Sequence, residues 1–152
     1  MEEITTCKTV TATIYVGLRL ADGTTLSLRD IKDVIQDEVD RIGWCVTVTE
    51  TEFIYTDGRE KGVAVGIINY PRFPESPKQL IEKVKNLAIV LLNACQQCRV
   101  SAVIGDTTYM WSNQTNIDEW EKNKEAVKAA EASALNLLGT LGMIPPKKSD
   151  KN

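Results

Sequence analysis

The segment Asn69-Tyr70-Pro71-Arg72-Phe73-Pro74 concentrates more recognition chemistry than any other stretch of this chain. It offers an amide, two aromatic rings and a guanidinium, and two prolines stiffen it. A nucleobase needs a flat surface to stack on and an amide to read its edge, while a phosphate needs a cation. The same residues also fit a plain connection, with Tyr70 and Phe73 plugging the end of the core and Arg72 in solvent. Arg99 and the run Tyr109-Met110-Trp111-Ser112-Asn113 add residues of similar type.

Other constellations are weaker. Cys95-Gln96-Gln97-Cys98 has the spacing of a redox motif. Redox chemistry calls for a thiolate at a helix N-terminus, whereas this pair falls at the C-terminal end of a helical pattern. Zinc would need a second ligand pair, and Cys7 and Cys45 stand apart. Glu50 and Glu52, two residues apart in a threonine-rich strand, suit either a cation site and acid–base work or a solvated edge. The segment Asp57-Gly58-Arg59-Glu60-Lys61-Gly62 lies in a hairpin connection and forms no phosphate loop.

The chain contains no histidine, which removes the side chain titrating nearest neutrality and the commonest general base and metal ligand. Ser–His triads and His-ligated zinc are excluded. The expectation is a protein that binds and does not catalyse, with no cofactor and no metal. A net charge of -3 argues against a nucleic-acid polymer as partner. An acidic N-terminus, reading Met1-Glu2-Glu3, and short apolar runs predict neither a signal peptide nor a membrane span. The expected setting is cytoplasmic, the host cytoplasm if the gene is a phage's, with four reduced thiols.

The elements that must position these residues follow from periodicity. Residues 10–20 alternate with period two, a strand that Asp22-Gly23 ends. Ser27 caps an amphipathic helix that runs to Gly43, and Cys45–Tyr55 reads as a strand whose alternation slips near Glu50-Thr51, marking either a bulge or the end of its core-facing part. Asp57-Gly58 turns into a strand over Val63–Tyr70. Ser76, Pro77 and Gln79 open a second helix, which Arg99–Ile104 and Thr107–Trp111 follow as strands. The order β-α-β-β-α-β predicts an α/β (α+β) fold, a ferredoxin-like split βαβ sandwich with an added hairpin strand. One domain is expected, with its core over 9–113, a C-terminal helix over 117–138 and a disordered tail over 144–152. That helix packs either over the open sheet face or on a second subunit. Tyr15 and Phe53 on the open face predict a homodimer or a higher homo-oligomer.

The stretches Ala12–Leu18, Thr51–Thr56, Ile67–Pro74 and Arg99-Val100-Ser101 resemble phage and prophage anti-Thoeris sponges. The resemblance covers roughly residues 10–112. It implies a protein that sequesters a cyclic nucleotide immune signal, of cyclic ADP-ribose or oligonucleotide type, without cleaving it, in pockets between subunits. Chemistry alone selects the candidate ligand residues: Asn69, Tyr70, Arg72, Phe73, Arg99, Tyr15, Phe53 and Tyr109. The alternatives are a phosphodiesterase using Glu50, Glu52 and a metal, and a protein-binding adaptor.

Overall fold

The computed structural model describes residues 1–140. Its elements are β1 (Thr11–Gly17), α1 (Leu28–Ile42), β2 (Thr47–Tyr55), β3 (Gly58–Ile68), α2 (Pro77–Ala94), β4 (Arg99–Ile104), β5 (Thr107–Ser112) and α3 (Gln114–Thr140). The five strands form one antiparallel sheet in the order β2-β3-β1-β4-β5. The fold is the ferredoxin-like α+β sandwich that the pattern predicts. The expected tail over 144–152 lies outside the described residues.

Each helix starts where its side chains can satisfy the first backbone amides. Ser27 accepts from Asp30 N, and Gly43, at φ 69°, closes α1 in the left-handed conformation that glycine adopts without penalty. Ser76 and Gln79 form a reciprocal capping box at α2, with Pro77 in its first turn. Alternation then decides what is buried. Ile14 and Val16 of β1, Val63, Val65 and Ile67 of β3, and Val100 and Ala102 of β4 point to one face. There they meet Ile31 and Ile35 of α1 and Leu80, Val84, Leu87 and Leu91 of α2.

The other face carries small residues along its centre and larger ones around them. Gly66, Ala64 and Gly62 of β3 pair with Thr13, Tyr15 and Gly17 of β1. Tyr15, Ile68, Val103 and Met110 are exposed there, so α3 does not lie over this face, contrary to one of its two expected placements. Instead α3 starts at one end of the sheet, where Asn113 Oδ1 accepts from Asn116 N at 3.0 Å, and Val127 packs on the turn glycine Gly23.

Two local expectations change. β2 pairs with β3 in unbroken register from Thr47 to Tyr55, so no bulge interrupts it at Glu50-Thr51. The alternation slips there because β2 is an edge strand, and its helix-side residues Glu50, Glu52 and Ile54 are exposed to water. The hairpin loop is Thr56-Asp57, with Asp57 at φ 71° and Gly58 already paired to Tyr55. The third strand therefore begins at Gly58 and brings Glu60 into the sheet. No helix among the described residues is long and apolar enough to cross a membrane.

Candidate functional site

Glu60 lies near the start of β3 on the open side of the sheet, directly opposite Phe53. The neighbouring pair on β1 and β3 is Gly17 and Gly62; the missing side chain of Gly17 makes the space that the carboxylate occupies, and that of Gly62 makes room for the Phe53 ring. A Cβ on Gly17 would stand 2.3 Å from Glu60 Oε1. Beyond Gly17 the chain leaves the sheet, and the backbone N–H of Arg19 donates to Glu60 Oε1 at 3.0 Å. Burial raises the Glu60 pKa above the usual carboxylate value, and the Arg19 amide and charge offset this only in part.

Three loops far apart in sequence close around this carboxylate, held by buried amides. Gln97, only 4% exposed, donates from Nε2 to Arg19 O and to Cys95 O, both at 3.0 Å. Asn116, also buried, donates from Nδ2 to Gln97 O at 2.9 Å and so ties α3 to the end of α2. Ala21 N donates to Gln96 O at 2.9 Å, which fixes the loop after β1 against the same turn. Satisfied buried amides of this kind hold loops in one arrangement.

The result is a partly enclosed cavity of about 270 Å³. Arg19, Tyr55, Glu60, Gln97, Cys98 and Arg99 line it, and Ile117, Trp120 and Glu121 of α3 form one wall. The volume lies near the lower end of small-molecule sites. The Arg19 guanidinium carbon stands 5.6 Å from the centroid of the Trp120 ring. A half-buried carboxyl with a raised pKa is a candidate proton carrier, and when ionised it attracts a cation. Rings add a stacking surface, and arginines add contacts for a carboxylate or phosphate.

Of the eight residues selected from sequence, Arg99 lines this cavity. The others lie elsewhere. Tyr15 and Phe53 meet edge to face at 6.5 Å on the open sheet face. Tyr109 stacks on Trp111 at 5.8 Å, with Lys85 4.9 Å from its ring. Tyr70 and Phe73 tilt against each other at 5.3 Å, and Arg72 is exposed. Phe73 lines a shallow depression with Val39, Asp40, Gly43 and Trp44. Asn69 is occupied by backbone: Nδ2 donates to Lys8 O and Glu75 O, and Oδ1 accepts from Glu75 N. This loop follows the far end of β3, eight residues from Glu60 and so roughly 25 Å along the strand.

Cys95 is fully buried, and burial pushes its thiol up to about 11. Cys98 lines the cavity with its pKa also raised, mainly by burial. Glu52 forms an ion pair with Arg59 at 3.8 Å on the exposed edge of the sheet. No group of three or more Cys, Asp or Glu side chains converges on a metal-sized site among the described residues.

Sequence reasoning missed Glu60, Gln97 and Trp120. The available signal was Glu60-x-Gly62-x-Ala64-x-Gly66, an acid followed by small residues on one strand face. The glutamine inside Cys95-x-x-Cys98 matters to the site more than the cysteine spacing.

No protein-family model matches the chain, and no curated protein matches it. Two solved structures share its fold. A phage SAM lyase in complex with S-methyl-5'-thioadenosine superposes with a TM-score of 0.64 at 23% identity, over 75% of this chain and 97% of the lyase. A phage SAM lyase in the apo state gives 0.58 at 23% identity, over 69% and 90%. The expectation of a chain without catalysis is corrected by this finding. It rested on the absence of histidine and on a fold read as a binding scaffold, and that fold is one on which lyases are built.

Proposed function

We propose that this chain is a lyase acting on S-adenosylmethionine or a closely related adenosyl sulfonium, bound in the Glu60 cavity. The observation that carries this reading is the half-buried Glu60 carboxylate, walled by Tyr55, Trp120, Arg19 and Arg99. The shared fold of the phage lyases supports it. A lyase that leaves S-methyl-5'-thioadenosine breaks the bond between sulfur and the methionine-derived chain. The substrate's own carboxylate oxygen attacks the γ-carbon as that bond breaks, closing a five-membered lactone; the electron pair of the broken bond stays on sulfur, and the sulfonium becomes a neutral thioether. Glu60 supplies negative charge facing the cation, the arginines hold the substrate carboxylate, and the rings cover the adenosyl part. The cytoplasm is the place of action on this reading. A second copy over the open sheet face would bury Tyr15, Val103 and Met110, which makes a homo-oligomer part of the proposal.

Incubation with S-adenosylmethionine, followed by chromatography and mass spectrometry, tests the activity. Wild type should release S-methyl-5'-thioadenosine, and Glu60→Gln should lose at least about 100-fold in rate, the scale of a positioned catalytic group. The sponge implied by the anti-Thoeris resemblance gives a different result. Substrate is then returned unchanged, while cyclic ADP-ribose or a cyclic oligonucleotide is retained and released intact on heating.

A further inference from the structure

The first turns of α3 do more than close the cavity. Trp120 presents its ring to the same space as Glu60, and the face of that ring already holds a cation, the guanidinium of Arg19. The helix that carries the ring is tied down. Asn113 caps the helix, Asn116 binds Gln97 O, and Val127 packs on Gly23 one turn or two further along. Gly23 has φ 88°, and a Cβ there would lie 2.7 Å from Val127, so turn and helix fit each other closely.

We infer that Trp120 is the residue by which the cavity distinguishes a cationic ligand from its neutral counterpart, with Arg19 holding that seat until the ligand arrives. The inference rests on the sulfonium reading of the site. A sulfonium is weakly hydrated and gives up water readily, and an aromatic face attracts it through its quadrupole. A neutral thioether gains only dispersion from the same ring. Breaking the carbon–sulfur bond removes the positive charge, so the product loses its hold on Trp120 and the guanidinium of Arg19 returns. Glu121 and Glu60, which both line the cavity, add negative potential, which strengthens the preference for a cation.

The test compares two stable ligands of nearly the same skeleton. Sinefungin carries an amine cation where S-adenosylmethionine carries the sulfonium, and S-adenosylhomocysteine has a neutral thioether. Wild type, Trp120→Leu and Trp120→Phe are titrated with each by calorimetry, with melting temperatures measured alongside. Wild type should bind the cation more tightly. Trp120→Leu should cut that preference by roughly 3–30-fold while leaving S-adenosylhomocysteine within about twofold. Trp120→Phe, which keeps an aromatic face and most of the packing, should fall between them. An equal loss for both ligands in either variant, or an unchanged ratio, makes Trp120 a mere wall and overturns the inference. If wild type binds neither ligand, the sulfonium reading falls and takes this inference with it.

Discussion

Gly17→Ala isolates the space that Glu60 needs. The backbone at Gly17 is ordinary strand, so an alanine there meets no conformational strain. At a compatible site this change gains about 0.4–1 kcal/mol, because the unfolded chain loses freedom. Here the new methyl would lie 2.3 Å from Glu60 Oε1, 2.8 Å from its carboxyl carbon and 3.0 Å from Gln97 Oε1. The carboxylate must turn away and give up the Arg19 amide at 3.0 Å, a bond to a charged group worth about 1.5–3 kcal/mol. The net expectation is a loss of about 0.5–2.5 kcal/mol in urea unfolding. Lyase turnover should fall about 100-fold, since a misplacement of about 1 Å in a catalytic group costs that much. Gly66→Ala is the control on the same sheet face. Its methyl would meet only the Thr47 side chain, an exposed edge-strand hydroxyl that can rotate away at the cost of a long 3.4 Å hydrogen bond to Gly66 O. Gly66→Ala should stay within about 0.5 kcal/mol of wild type and keep full turnover. If the two alanines behave alike in both assays, Gly17 is not what positions Glu60.

Three further expectations follow from named groups. Glu60→Gln should raise the melting temperature at pH 7–8. Burial lifts the folded pKa of Glu60 above its reference of 4.5, so its stabilising contribution is complete below that value and lost as pH rises through the folded pKa. The gap between variant and wild type should therefore close as pH falls toward about 4, and a gap independent of pH counts against a buried carboxylate. Asn69→Ala removes three hydrogen bonds at a buried residue, and it should cost about 2–4 kcal/mol in urea unfolding. A loss below about 0.5 kcal/mol would free the amide for the ligand role first read into it. Iodoacetamide at pH 8 should label exposed Cys45 in the native protein and reach Cys95 only on unfolding, as read by peptide mass spectrometry.

The framework was legible because its signals are local. Ser27, Ser76, Pro77 and Gln79 mark helix starts by hydrogen bonds that span three residues, and Gly43 marks a helix end by a single dihedral. Alternation placed β1 and β4 because each has a neighbour on both sides and helices over one face. At β2 the same rule left two readings open. An edge strand tolerates Glu50 and Glu52 on the side a central strand would bury, so a broken pattern there reported position in the sheet and not a bulge.

The site was not legible, and the reason lies in how its residues are joined. Arg19, Glu60, Gln97 and Trp120 come from four separate regions of the chain, so no spacing marks them as a set. Asn69-Tyr70-Pro71-Arg72-Phe73 is contiguous and shows every residue type a nucleotide site needs, yet its amide is fully engaged by Lys8 and Glu75 backbone. Composition identifies which groups are present, and topology decides which remain available to a ligand. The absence of histidine illustrates the same point. It argued against catalysis only on the premise that a group active near neutrality must have its ordinary pKa there. A carboxyl is shifted upward when burial in a low-dielectric pocket outweighs the hydrogen bonds that favour its charged form. At Glu60 burial raises the pKa and the Arg19 amide offsets part of that rise, while Gly17 leaves the space for the carboxylate; neither the amide nor the glycine is a functional side-chain group.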